Sequence, residues 1–493
     1  MIDLTINQEI LDKNIEVAKA NNVILPTYEM MLNPDKIPAK IKEKLKDVDM
    51  WDLDPLNLFR ITWKNEPVQK GGTYGKPNYI TLPKSLTGVD AKIIMMVGKH
   101  FPTGCHKVGA SFSCLVPRLV TGQFDAAEKK AVWPSTGNYC RGGAFNSKIL
   151  GVKSVAILPE GMSRERFEWL EDVADEIIGT PGTESNVKEI FDAVKDIKEN
   201  RSDAIVFNQF EEMGNYMWHY NVTGPSIQEA FKDIDEKGDL RFAGVTFTSG
   251  SGGTMAAGDF LKKEYPGSKI AVGEALQCPT LLTNGFGAHR IEGIGDKHVP
   301  WVHNVKRTNM VIDIDDNDSM ALLRLFNEKA GQEYLREKIG VDQADIDKLA
   351  LMGISGITNL LCAIKFAKYY ELTDKDVVAT VLTDSVVMYH SRLEELQEAD
   401  GEYDRVAARF DYIGKLLGQK TDNLMELTYT DRKRLHHQKY YTWVEQQGKT
   451  SEELDELWYN QEGTYDAVAA QVEEVDRLIN DFNEKTGLLA SLS

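Results

Sequence analysis

Between about residue 90 and residue 390, short apolar, β-branched runs alternate with helix-like stretches, and few folds accept that rhythm. The runs are Lys92–Val97 (KIIMMV), Lys153–Leu158 (KSVAIL), Asp203–Phe207 (DAIVF), Phe242–Thr248 (FAGVTFT), Lys269–Gly273 (KIAVG) and Asp376–Leu382 (DVVATVL). Each is too short for a typical helix and reads as a strand of a parallel sheet covered on both faces. Between them SRERFEWLEDVADEI, NVKEIFDAVKDIKEN and TMAAGDFLKKEY have helical spacing. Ser163 opens the first of these as an N-cap, with an acidic residue in the first turn. An α/β enzyme architecture follows. Outside this block residues 1 to about 90 carry prolines, tryptophans and few strands. The tail after Glu394 is highly charged, with helical spacing and the aromatics Trp443, Trp458 and Tyr459.

A chain of 493 residues is too long for one small core and predicts two or three compact units. A net charge of −19 argues against nucleic acids and anionic membranes as partners, because those need clustered Lys and Arg. The N-terminal stretch has acidic residues among its apolar ones and does not read as a secretion signal. Five cysteines without a CxxC spacing indicate neither a disulfide framework nor a zinc site, so a reducing cytoplasm is the expected setting. His436 and His437 have no second ligand cluster at metal spacing, and no metal is assigned.

Two segments carry chemistry. SGSGGT (Ser249–Thr254) directly follows a predicted strand and opens a helix, an order in which backbone N–H groups converge on one anion at a helix N-terminus. It matches neither the P-loop spacing nor G-x-G-x-x-G after a first strand. About 140 residues earlier, FPTGCHKVGASF (Phe101–Phe112) carries Lys107 among Pro102, Cys105, Val108 and Phe112, where lost hydration favours a neutral amine. A reactive amine and a phosphate cradle together suggest pyridoxal 5'-phosphate, with the lysine as a Schiff base to it. A second loop, WPSTGNYCRGGAF (Trp133–Phe145), offers Ser135, Thr136 and Asn138 as donors beside glycines. Cys105 and Cys140 near these loops read as small buried fillers. His289 and His298, flanking HRIEGIGDKHVP, read as loop residues.

Lys107 in its glycine-flanked context, STGN, LPEGMSRER, NQF, TGP, SGSGGT and HRIEGIG stand in the order seen in cysteine synthases. Over roughly residues 90 to 390 the chain resembles the fold-type-II pyridoxal phosphate enzymes, the tryptophan synthase β-like family. The resemblance implies an α/β fold of two open twisted parallel-sheet lobes with helical N- and C-terminal extensions. Residues 1–90 would form an extension partly packed on the core. Residues 91–393 would form the catalytic core, with the smaller lobe inserted at about 130–225, and 394–493 the helical tail. It aligns Lys107 with the Schiff-base lysine, and His106 is similar to the histidine of the His-Lys pair in tryptophan synthase β subunits. Gly250, Ser251, Gly252, Gly253 and Thr254 match the phosphate loop. Asn138 matches the asparagine that bonds the ring hydroxyl, and Ser135, Thr136 and Gln209 match positions that bind the substrate carboxylate. Ser355, in GISGIT, matches the serine at the pyridine nitrogen; a neutral hydroxyl there favours chemistry at the β-carbon over transamination.

The chain departs from the family where KPNYITLPKSL stands for GNTPL, where TDSVVMYHSR stands for PSSGERY, and where Tyr139 follows Asn138 in place of a small residue. The expected activity is β-elimination or β-replacement on a small amino acid. The alternatives are a carbon–carbon lyase, thiolase or threonine-synthase-like enzyme of the same cofactor class, and a non-catalytic regulatory subunit. Fold analogy points to a homodimer.

Overall fold

The computed structural model describes residues 1–66, 72 and 74–491. Among the described residues eleven strands form two sheets. In chain order they are β1 (Tyr79–Ile80), β2 (Lys92–Val97), β3 (Lys130–Pro134), β4 (Lys153–Pro159), β5 (Glu176–Thr180), β6 (Ala204–Val206), β7 (Arg241–Thr248), β8 (Lys269–Ala275), β9 (Met310–Ile314), β10 (Asp376–Leu382) and β11 (Leu424–Glu426). The larger sheet has the order β1-β2-β10-β7-β8-β9-β11, and the smaller, all-parallel sheet the order β5-β4-β3-β6. The five central strands of the larger sheet are parallel, while its edges, β1 and β11, are antiparallel to β2 and β9. Both edge strands come from outside the run of strands read in the sequence.

The pleat explains why the central strands are apolar throughout. In β2, Ile94 and Met96 enter one hydrophobic core, while Ile93, Met95 and Val97 enter a second on the opposite face. β10 divides in the same way, Val377, Ala379 and Val381 against Val378 and Leu382. Val132, Val155, Ile157, Ile190 and Val194 build a separate core for the smaller sheet.

All six predicted strands form. The helix expected over residues 163–177 is shorter and spans Arg164–Val173. Ala174 turns extended (φ −77°, ψ 147°), Asp175 accepts the Ser154 N–H at 2.8 Å, and β5 then pairs with β4. The β-branched Ile177 and Ile178 belong to that strand, so pairing overrides the helical spacing. Ser163 does occupy the N-cap position, but its hydroxyl accepts nothing and is buried without a partner. Its backbone N–H donates to Glu292 (3.3 Å) instead. Among the described residues no single helix is long and apolar enough to cross a membrane.

The two ends of the chain close on each other. The Gln8–Ala20 helix and the Val472–Thr486 helix share the first core through Leu11, Ile15, Leu478 and Ile479. Asn483 donates to the Leu25 carbonyl (2.8 Å) and accepts from the Leu25 N–H (2.9 Å), like a neighbouring strand. Asp476 accepts from Tyr28 N–H (2.7 Å) and Glu29 N–H (3.0 Å). Asn483→Ala leaves both buried Leu25 groups unpaired and should cost about 2–4 kcal/mol. Urea unfolding of the variant is expected to show this as a lowered midpoint; an unchanged midpoint would mean that the clasp adds nothing.

Candidate active site

β7 delivers the chain into Ser249–Thr254, and the Met255–Glu264 helix leaves it. Gly252 takes a left-handed conformation (φ 75°). A Cβ on Gly253 would lie 2.1 Å from Asn215 Oδ1, and one on Gly250 would lie 2.5 Å from the Gly293 carbonyl, so the loop must be glycine to pack this closely. Among the described residues none of the five backbone N–H groups from Gly250 to Thr254 donates within the protein. Five converging donors at a helix N-terminus form an anion cradle. Asn215 braces it, donating to Ser251 Oγ and to the Gln209 carbonyl, each at 3.0 Å.

Lys107 is the first residue of the Lys107–Thr121 helix and lines the same cleft as Gly250–Thr254 and Gln209. The turn before it has two positive φ angles, 69° at both Thr103 and Gly104. Behind Lys107, His106 is buried between Trp63 and Trp218, with ring centroids 5.3 and 6.5 Å away and both nitrogens unpartnered. Burial pushes its pKa well below the usual imidazole range. His219, edge-on to His106 at 5.3 Å, is lowered to about 3 by burial and by the charge of Lys107. The lysine therefore stands against two neutral imidazoles. Cys105 and Cys140 are pushed up to about 12 by burial, which keeps them as protonated, inert fillers.

β3 leads into Ser135–Gly137 and the Asn138–Ile149 helix. Gly137 (φ 141°) lies against Arg166, whose Cδ would be 2.4 Å from a Cβ there. Ser135 Oγ is turned inward and accepts the Gly137 N–H at 3.0 Å. Among the described residues the N–H groups of Thr136, Asn138 and Tyr139 donate to nothing in the protein. Asn138 Nδ2 donates to Asp384 (2.7 Å), and its Oδ1 is buried without a partner.

The sequence-predicted residues thus divide. Lys107, Gln209 and Gly250–Thr254 line one cleft; Ser135, Thr136, Asn138 and Ser355 lie buried outside its lining. Ser355 is the second residue of the Ile354–Tyr369 helix, with an unpartnered hydroxyl, and the cleft is instead bordered on that side by Asn359 and Thr383. Asn359 is fully engaged, accepting from Thr248 N–H (2.8 Å) and donating to the Val381 carbonyl (2.8 Å). Tyr139 lines the cleft with its ring edge-on to Trp133 at 5.5 Å.

The sequence reading missed a buried network behind Asn138. Asp384 accepts from Tyr389 OH (2.7 Å) and stands 3.6 Å from Arg166, which donates to Tyr389 OH (2.9 Å) and ion-pairs with Glu292. Asp384 and Tyr389 lie in TDSVVMYHSR, so the departure from PSSGERY was their visible signal. Two further carboxylates had none. Glu184 is buried with both oxygens unpartnered, and Asp296 has a buried, unpartnered Oδ2. Burial pushes Glu184 up to about 7; Arg166 pulls it back, as do Thr136 and the Gly293 N–H from beyond good hydrogen-bond geometry. Asp296 is raised well above the usual carboxylate range, by burial and then by Glu184.

The family model described as pyridoxal-phosphate dependent enzyme matches residues 76–333. A cysteine synthase of Staphylococcus aureus is 31% identical over 285 residues, 56% of this chain and 82% of its own length. Cystathionine beta-synthase of Saccharomyces cerevisiae is 26% identical over 342 residues, 67% of this chain and 63% of its own length. Among solved structures, a cysteine synthase from Entamoeba histolytica superposes with a TM-score of 0.55 at 20% identity, covering 69% of this chain and 92% of that one. A hydrogen sulfide-producing enzyme from Fusobacterium nucleatum gives a TM-score of 0.53 at 21% identity, covering 63% and 96%. With an anion cradle and a lysine in one cleft of a two-sheet α/β fold, the chain belongs to the pyridoxal-phosphate dependent enzymes that include the cysteine synthases.

Proposed function

We propose that this enzyme performs β-elimination or β-replacement on a small amino acid. The observation that carries the reading is Lys107 sharing one cleft with five undonated N–H groups, in a chain 31% identical to a cysteine synthase. Those N–H groups fit the phosphate of pyridoxal phosphate, the unpartnered Asn138 Oδ1 and Ser355 Oγ are polar atoms suited to its ring, and Lys107 would hold it covalently. When bound, the cofactor supplies an electron sink that stabilises negative charge at the substrate α-carbon. The protein's share is binding and proton movement. Thr136, Asn138 and Tyr139 N–H groups and the Gln209 amide orient the substrate carboxylate. Lys107 takes the α-proton, with the neutral imidazoles of His106 and His219 beside it.

Product analysis with a panel of amino acids carrying β-leaving groups tests this reading. The expected outcome is loss of the β-substituent from one of them, with turnover reduced at least a thousandfold in Lys107→Ala. Carbon–carbon cleavage products, or full activity without Lys107, would overturn it. The same reading takes the enzyme as a cytoplasmic homodimer. Five unpaired, buried thiols suit a reducing compartment, and exposed Val406, Phe410 and Ile413, spaced along one helical face, offer a surface for self-association.

Glu184 sets a pH dependence. Its folded pKa, about 7, lies above the ordinary 4.5, so the folded state binds this proton more tightly than the unfolded chain does. Stability from this group is full below the ordinary value and is lost as pH rises through 7. Relative to Glu184→Gln, the wild type should lose up to roughly 3 kcal/mol between pH 5 and pH 8. Denaturant unfolding at pH 5, 6.5 and 8 measures it, and a pH-independent difference would mean that Glu184 titrates normally.

A further inference from the structure

A second cleft lies apart from the catalytic one. It has a volume of about 980 Å³ and lies between the Val187–Asn200 helix, the 280–299 loop and the Tyr429–Lys439 helix of the tail. That is the upper end of the size range of small-molecule sites and far more than a small amino acid fills. Its charge is unusual for this protein. The chain has 76 acidic against 57 basic residues, yet no acidic residue lines the cleft, while Lys188, Lys297, Lys433, Arg434 and His437 do.

Among the described residues most of that positive charge has no ion-pair partner. Lys188 pairs with Asp192. Among the described residues, Lys297, Lys433 and Arg434 have no carboxylate within ion-pairing distance. Arg434 donates to neutral oxygens, the Leu281 carbonyl (2.9 Å) and Asn284 Oδ1. Lys433 sits over the rings of Tyr459 and Trp458, at 4.4 and 4.6 Å. Aromatic surface accompanies the charge: Phe191, Phe286 and Tyr441 line the cleft, and Phe286 is 76% exposed. His298 lines it too, only 9% exposed and with its Nε2 unpartnered.

We propose that this cleft binds an aromatic ligand carrying two or more negative charges, a class that includes nucleoside phosphates. The basic groups would meet the charges, Phe191, Phe286 and Tyr441 would stack on the ring, and His298 Nε2 would supply a further polar contact. One segment joins the two clefts. Gly293 and Ile294 line the catalytic one, whereas Lys297, His298 and Val299 line this one. His298 also packs edge-on against Phe210 at 4.8 Å, beside Gln209. The ligand is either an effector or the anionic aromatic part of a substrate, and both have the same chemistry.

The test uses the cofactor-loaded full chain with bound 8-anilinonaphthalene-1-sulfonate as fluorescent reporter, displaced by ADP, by naphthalene-1,5-disulfonate or by neutral adenosine. The expected result is displacement by at least one dianion at a concentration at least tenfold below that of adenosine. Lys297→Gln and Arg434→Gln should each weaken that displacement at least tenfold. An effector would alter KM or kcat without competing with the amino acid; a substrate fragment would compete with it. If neither dianion displaces the dye, or both variants bind as the wild type does, the proposal is overturned. Binding is read by fluorescence, so the outcome does not depend on the reaction assigned to the catalytic cleft.

Discussion

The buried ion network around Arg166 is the interaction on which the catalytic geometry depends. Arg166 belongs to the helix that follows β4 in the smaller sheet; Glu292 lies between β8 and β9, and Asp384 and Tyr389 follow β10, all strands of the larger sheet. Arg166 and Asp384 are both wholly buried, so each charge is tolerable only because the other groups surround it. Asn138 and Gly137 rest on this network, and through them so does the start of the Asn138–Ile149 helix. The placement of the smaller sheet and the shape of the Ser135–Gly137 loop are therefore set by the same contacts.

What the sequence disclosed follows from how local each signal is. The six strands were readable because being buried on two faces leaves no polar alternation, and SGSGGT was readable because a tight anion loop leaves room only for glycine. The ordered words carried the family. β5 was not readable, because Ile177 and Ile178 fit the helical spacing that precedes them and only pairing with β4 distinguishes the two states. Ser163 shows the same limit, since its N-cap position was legible but the direction of its hydroxyl was not. Asn215, Glu184 and Asp296 reach the site through tertiary packing alone, with no spacing to announce them. The place of Ser355 was not legible either: it lies outside the cleft lining, to which Thr383 and Asn359 belong.

The C-terminal tail is a structural part of the larger sheet and its surroundings. β1 lies within the span matched by the family model, and the tail supplies the opposite edge strand, β11. The tail also reaches inward through Lys439, which donates to the carbonyls of Trp301 (3.0 Å) and His303 (2.7 Å), and through Asp466, which ion-pairs with Arg307, itself paired with Asp259. These contacts fix the segment that follows Gly293–His298, so the tail holds the far side of the catalytic cleft in place.

The position of β10 has a consequence for how the chain is made. β10 lies between β2 and β7 in the middle of the larger sheet, yet it comes late in the sequence, beyond the span that matches the family model. As the chain leaves the ribosome, β2 and β7 each present an open parallel edge until β10 arrives, and β9 waits longer still for β11. Contacts of such long sequence separation close slowly. The nascent protein therefore passes through a prolonged stage with paired but uncapped strands, and its yield in a cell depends on how well that intermediate is shielded until the last third of the chain is complete.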